Sequence, residues 1–231
     1  MRKAFSLVEL SIVLIIIGLL VAGVSSGTKL ITQAKINRII QDYANYDQAV
    51  STFKATYDSW PGDYTEASII WSGETNGNGD NIIAGGESLQ FWRHLYLAEL
   101  VSGSYTGSNS PDFNIDKQPA SLRPLAHAAL YNNPQYNYLG TIRTSGDSWA
   151  GVITAQKAYN IESKMDDQNP ATGKIVSFHH VSGEPILDCA ARTDTSVAVN
   201  HAYRTGDVKY ILSADGPYCT INYVFSIDNG R

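Results

Sequence analysis

From Leu10 to Thr28 the chain runs nineteen residues without a charged side chain, and the centre of that run is Ile12-Val-Leu-Ile-Ile-Ile-Gly-Leu-Leu-Val21. A stretch of about twenty apolar residues is what a helix needs to cross a bilayer, and only a helix or a closed barrel satisfies every backbone polar group there. A basic pair, Arg2 and Lys3, precedes the run, and one carboxylate, Glu9, stands at its entrance. An ionisable group at that depth costs roughly 2.5 to 3.5 kcal/mol on insertion-based scales, so Glu9 requires a partner or a function. A secretory signal places its small-residue cleavage site after the apolar region. Here the small residue, Ala4, comes before it.

The helical pattern outlasts the membrane-length run. Ile36, Ile39, Tyr43, Tyr46, Val50, Phe53 and Tyr57 recur at steps of three and four, which puts one apolar stripe along a helix. An unbroken helix over 5–57 is on the order of 80 Å long at 1.5 Å per residue, with a membrane half at about 5–28 and an amphipathic half at about 29–57. Trp60-Pro61-Gly62-Asp63 supplies the stop, since proline cannot continue a helix and glycine permits a turn. The remaining 58–231 suffice for one globular head. Its glycine- and asparagine-rich segment 72–87 reads as a loop. A second helix follows with Leu89, Trp92, Leu95, Tyr96 and Leu100 on its apolar face and Gly103 to close it. Between Gly103 and Gly151 short strands are expected without readable boundaries. A third helix is predicted over Ala155 to Met165, and strands over Lys174 to His179, Tyr210 to Leu212 and Thr220 to Ile227. The fold class is therefore α+β.

The loop from Asn76 carries oxygen donors at the spacing of a calcium-binding EF-hand loop: Asn76, Asn78 and Asp80 at one, three and five, the Ile82 carbonyl at seven, and Glu87 at twelve. Ile83 fills the apolar eighth position. Asn81 replaces the usual glycine at the sharp turn, where asparagine tolerates a left-handed backbone better than most residues. Two carboxylates give low site charge, so the expected affinity is weak and of extracellular type. The competing reading is a plain polar loop.

Catalytic signatures do not assemble. His94, His127 and His201 are scattered. His179 and His180, adjacent on a predicted strand, point to opposite faces and cannot share a metal. Gly23-Val-Ser-Ser-Gly27 matches the hydrolase nucleophile-elbow pattern but lies in an apolar helix, not at a strand-to-helix turn. No enzymatic activity is expected. With a formal charge of −5, the chain offers no electrostatic footprint for nucleic acid. Under the positive-inside rule the basic leader stays cytoplasmic and everything beyond the membrane enters an oxidising compartment. Cys189 and Cys219, the two cysteines, are then expected to pair. Two buried free thiols are the alternative, while metal ligation lacks a Cys-x-x-Cys or a nearby histidine pair.

Lys3-Ala4-Phe5-Ser6-Leu7-Val8-Glu9-Leu10 resembles the processing site of type IV pilins and type II secretion pseudopilins. The resemblance implies a leader at 1–4, cleavage by a prepilin peptidase between Ala4 and Phe5, N-methylation of Phe5, and an assembly role for Glu9. That family usually has glycine where Ala4 stands, and many members carry a helix-breaking proline where this chain reads Gly23 to Gly27. Trp-Pro-Gly-Asp at 60–63, the Gly-Asn-Gly-Asp loop, Phe-Trp-Arg-His-Leu at 91–95 and Ala-Tyr-Asn-Ile-Glu-Ser-Lys-Met-Asp-Asp at 158–167 resemble features of a larger pilin-like subfamily. It implies a pilin-like fold, with the long helix packed against an antiparallel sheet. It implies partners too: copies of itself or related subunits, the peptidase and an inner-membrane assembly machine. The chain would begin as a single-pass inner-membrane protein with a periplasmic head and end in a periplasmic or cell-surface fibre. Glu9 is suited to such a role physically. After cleavage, the new amine and the unpaired N–H groups at the helix start present positive charge that a neighbour's carboxylate can neutralise. A membrane-anchored binding or adhesin module that never polymerises is the alternative.

Overall fold

A computed structural model describes residues 7–113, 120–126, 137–143, 151–170, 173–177, 189–192, 208–213, 216 and 219–225. Helix α1 spans Leu7–Tyr57, 51 residues, or about 76 Å at 1.5 Å per residue. Its apolar half is bare: exposure runs from 47 % at Val13 to 85 % at Leu7, and Leu30 and Ile31 are exposed as well. An apolar surface of that size is not stable facing water, and the helix is long and apolar enough to cross a membrane. The second half buries Ile36, Tyr43, Ala49, Val50 and Phe53 against the head. Tyr43 stacks on Tyr223 with centroids 5.2 Å apart, and Tyr46 meets Trp92 edge-on at 4.9 Å. Asp58 ends α1 in the left-handed region at φ 49°, a conformation Asp tolerates, before Pro61 can interfere.

Two shorter helices follow, α2 (Ala67–Ile70) and α3 (Glu87–Leu97). The sequence extends the apolar face of α3 to Leu100, but the helix stops earlier. Glu99 adopts φ 60°, its N–H donates to Tyr96 O at 3.0 Å, and Leu100 N donates to Leu95 O at 3.0 Å. This is the two-bond closure of a left-handed helix cap, in which the residue after the cap is commonly apolar. Leu100 is thus part of the cap rather than of the helix face, and Gly103 is not needed to end α3.

Four strands form an antiparallel sheet in the order β1 (Ala120–Ala126), β2 (Asn137–Arg143), β6 (Asn222–Val224), β3 (Ile175–Val176). Pro124 lies in β1, and β1 is an edge, where a missing N–H is tolerated. Helix α4 (Ala155–Met165) is capped by the Thr154 hydroxyl, which accepts from Lys157 N, and packs against α1. A second ladder pairs β4 (Ala190–Arg192) with β5 (Val208–Tyr210). A disulfide joins Cys189 to Cys219 across 30 residues. Cys219 bridges Ile153 while Cys189 O accepts from Ile211 N, so the bond fastens the small ladder to the main head. The head is α+β, with its core between α1, α3, α4 and the larger sheet. The predicted strand over Lys174 to His179 is described only as Ile175–Val176, and His179 and His180 lie outside the described residues.

Candidate cation site in the head

The turn that ends α1 and the loop before α3 are folded onto each other. Gly62, at φ 87°, passes so close to the Glu87 carbonyl that a side chain there would collide with it, and Gly77 passes equally close to the Asp63 backbone. Gly77 N donates to Tyr64 O at 2.9 Å. His94, fully buried on α3, holds both strands of this crossing. Its Nδ1 accepts from Gly62 N at 2.9 Å and its Nε2 faces Thr75 O at 3.3 Å, which requires the neutral Nε2–H form. Burial holds its pKa below the ordinary value, against the opposing pull of the Thr75 carbonyl. Arg93 and Glu74 lock the outer side, with Arg93 Nε donating to Glu74 Oε2 at 3.1 Å. That bond holds the Glu74 carboxyl below its usual range.

This crossing delivers three carboxylates to one place. Ligand oxygens of Asp63, Asp80 and Glu87 lie within 4.8 Å of one another. Asp63 is 1 % exposed, and its two oxygens accept from Gly79 N at 2.6 Å and Asn81 N at 2.8 Å. Burial pushes the Asp63 pKa up, while those N–H groups pull it down and the Asp80 charge adds to the rise. Asp80 Oδ1 accepts from Ile82 N at 2.8 Å, and its Oδ2 accepts from Asn78 Nδ2 at 2.9 Å. Glu87 accepts from Asn78 N and Ala84 N, each at 3.1 Å. Backbone donors thus fix every carboxylate, and the donor set is oxygen alone, which suits a hard cation.

The residues expected from loop spacing do not all converge. Asn78 sits in the cluster, with its Oδ1 accepting from Asp80 N at 2.9 Å. Asn76 turns away, and its Oδ1 accepts from Ser68 N at 2.8 Å at the start of α2. Ile82 lies in the turn, its N–H committed to Asp80. Asn81 adopts φ 66°, the left-handed turn, and Ile83 is fully buried. Asp63 takes a place that the loop pattern gave no reason to fill, because it lies thirteen residues before Asn76. The clue was the Pro61-Gly62 turn, which bends the chain back toward the loop.

The other expected site residues are far from this cluster in the chain. Ala4 and Phe5 lie outside the described residues. Glu9 is exposed in the first turn of α1. Comparison with family models, with curated proteins and with solved structures finds no match in any of the three.

Proposed function

We propose that the chain is a structural subunit of a type IV pilus-like or type II secretion fibre, processed by a prepilin peptidase and assembled through α1. One observation carries this reading. A single helix presents a bare apolar half with a carboxylate in its first turn, and its other half is embedded in the head. An anchor alone needs no rigid continuation into the head, whereas helix-by-helix stacking of subunits uses both halves. Glu9 then neutralises the new amine of a neighbour at lipid depth, which offsets the cost of burying either charge alone. The partners are copies of the chain or related subunits, the peptidase and an inner-membrane machine, with the head on the periplasmic side. The test is Glu9→Ala in the producing cell. We expect cleavage between Ala4 and Phe5 and methylation of Phe5 to persist, and incorporation into sheared fibres to fail. Normal incorporation removes the role given to Glu9, and an uncut leader favours an anchored binding or adhesin module that does not polymerise.

Calcium is the cation we assign to the head loop, with Asp63, Asp80 and Glu87 as charged ligands and Asn78 and the Ile82 carbonyl as neutral candidates. Three carboxylates held by backbone N–H groups support this reading, and two of them are accessible from solvent. Calcium accepts six to eight oxygens in a flexible shell, whereas magnesium demands a tighter octahedron and sheds water reluctantly. Millimolar calcium should raise the melting temperature of the full chain in detergent, and magnesium should substitute poorly. Asp80→Ala and Glu87→Ala should each remove most of the rise. A calorimetric titration without calcium binding at millimolar concentration overturns the assignment.

A further inference from the structure

Asparagine followed by glycine is the dipeptide in which the next backbone nitrogen most easily attacks the side-chain amide, because glycine leaves that nitrogen unhindered. The described loop carries two such pairs, Asn76-Gly77 and Asn78-Gly79, and a third, Asn229-Gly230, lies outside the described residues. The two pairs in the loop are held differently. Asn76 is tied to the start of α2, with its Oδ1 accepting from Ser68 N at 2.8 Å, while Gly77 N donates to the Tyr64 carbonyl at 2.9 Å. A peptide carbonyl is no base, and Gly77 is half-buried and pressed against the Asp63 backbone. The Gly77 nitrogen is therefore fixed in place beside a group that cannot take its proton.

At Asn78 every atom that such an attack changes has a matched partner. Gly79 N, the nucleophile, donates to Asp63 Oδ1 at 2.6 Å, so a carboxylate is in place to take its proton. Asn78 Oδ1, which gathers negative charge when the amide carbon is attacked, accepts from Asp80 N at 2.9 Å. Asn78 Nδ2, the leaving group, donates to Asp80 Oδ2 at 2.9 Å. Asp63 is itself held firmly, because it is buried and its second oxygen accepts from Asn81 N at 2.8 Å. Asn78, Gly79 and Asp80 are exposed, which gives water a way in and ammonia a way out.

We propose that Asn78 is a self-modifying residue, whose side-chain amide is converted to a carboxylate through attack by Gly79 N with Asp63 as the base. In the first step a bond forms between Gly79 N and Asn78 Cγ, and the Cγ–Nδ2 bond breaks. The Gly79 proton passes to Asp63 and on to solvent, while Nδ2 takes a proton from solvent and leaves as ammonia. Water then opens the cyclic imide, adding its hydroxyl to a ring carbonyl carbon and its proton to the ring nitrogen. Opening at Cγ leaves aspartate at position 78, and opening at the backbone carbonyl leaves isoaspartate.

The aspartate product adds a fourth carboxylate beside Asp63, Asp80 and Glu87. Calcium affinity of an oxygen site rises with the charge of its ligands, so the loop is made as a weak site and matures in place. This consequence rests on the calcium reading of the cluster, whereas the reaction at Asn78 does not.

Freshly purified full-length chain in detergent is held at neutral pH with a calcium chelator and sampled over time, and peptide mass spectrometry with fragmentation assigns each amide-to-acid conversion to its residue. We expect Asn78 to convert at least about tenfold faster than Asn76, less than the roughly 100-fold that a positioned base commonly supplies. The imide should be trapped by hydroxylamine, and isoaspartate should appear among the products. Asn78→Gln, which would need a larger ring, should leave position 78 unmodified. Asp63→Asn should slow Asn78 to about the rate of Asn76. That variant separates a base from a restraint, since a loop that is merely loosened reacts faster, so acceleration in Asp63→Asn overturns the proposal. Conversion of Asn78 no faster than Asn76 overturns it too, as does conversion with neither trapped imide nor isoaspartate. Calorimetric titration then compares the fresh chain with Asn78→Asp, which presents the product, and we expect calcium to bind about tenfold tighter to the variant. Equal affinities overturn the maturation and leave the reaction standing. If neither form binds calcium, the calcium reading falls, and the conversion of Asn78 still decides the reaction.

Discussion

Replacing Glu162 by glutamine should stabilise the head near neutral pH, and by more the higher the pH. Glu162 lies on the inner face of α4, fully buried. The Tyr210 phenol of β5 donates to its Oε2, while Oε1 is buried without a hydrogen-bond partner among the described residues. The Ser177 hydroxyl lies beside that phenol, and Asp166 and Asp167 at the end of α4 are the charges that act on the pair. Burial raises the Glu162 carboxyl from 4.5 to about 8, against the lowering effect of the Tyr210 bond, and both aspartates add to the rise. The unfolded chain releases this proton above about pH 4.5, whereas the folded head keeps it until about pH 8. Across that window the unfolded state binds fewer protons, so stability falls as pH rises and levels off above it. At about 1.4 kcal/mol per pH unit, the loss at pH 7 is about 3 kcal/mol. Glutamine has the same shape, accepts from Tyr210 and never ionises. Some of the gain is offset, by about 1 kcal/mol, because its NH₂ needs a partner where Oε1 has none. We expect Glu162→Gln to melt on the order of 5 °C higher than the parent at pH 7 to 8 and a few degrees lower near pH 4.5, where only the unpaired NH₂ counts. Full-length chain in detergent, followed by tryptophan fluorescence from pH 4.5 to 9, gives the difference curve, in which all other titrations cancel. Parallel melting profiles for parent and variant would refute a neutral Glu162.

His94 acts in the opposite direction. Its depressed pKa makes stability fall as pH drops below about 6.5, and His94→Phe should flatten that acid limb at the cost of an unpaired Gly62 N–H. Replacing Cys189 and Cys219 by serine should cost roughly 3 to 4 kcal/mol in the chain-entropy model for a loop of this size, read as a melting temperature lower by on the order of 10 °C. No loss would mean that the unfolded chain is already confined. Asn137→Ala should cost about 1 to 3 kcal/mol and speed hydrogen exchange at Ile83. Asn137 Oδ1 accepts from Ile83 N and its Nδ2 donates to Asn81 O, both at 3.0 Å, and the buried Ile83 amide would lose its partner. Unchanged exchange at Ile83 would count against that latch.

What was legible in the sequence was whatever repeats along the chain. The uncharged run and the three-four spacing of Ile36, Tyr43, Val50 and Phe53 define α1, and α4 spans Ala155–Met165 as its local pattern predicts. Strands β1 and β2 were not placed, because Pro124 and Gly140 interrupt the alternation that marks a strand. Their seven-residue pairing with each other is completed by β6, which lies far along the chain and pairs with β2. Asp166 carries no local signal either, yet its Oδ2 accepts from Ile175 N at 2.7 Å, tying α4 to β3. Glu162 gave no signal, since a single glutamate in a helix looks the same whether it faces water or a tyrosine.

Asp63 is the most instructive omission, because its position changes what a bound cation would do. A loop supplying all its own ligands between Asn76 and Glu87 would only order itself, with little effect beyond the loop. With Asp63 included, the cluster draws on the turn that ends α1, on the loop and on the first residue of α3. Through Asn137 the same loop is fastened to the first residue of β2, which pairs with β6 at the centre of the sheet. A cation there would hold the end of α1 to α3 and the sheet at once, so its removal should loosen contacts well outside the loop. Asp63→Asn should therefore weaken the calcium-dependent rise in melting temperature, and it keeps only one of the two backbone bonds, since its NH₂ cannot accept from the second N–H, so the melting temperature without calcium is compared as well. Hydrogen exchange decides between the two pictures. If calcium protects only residues 76–87, the loop is self-contained. If protection extends into β2 and the last turn of α1, Asp63 and Asn137 carry it there.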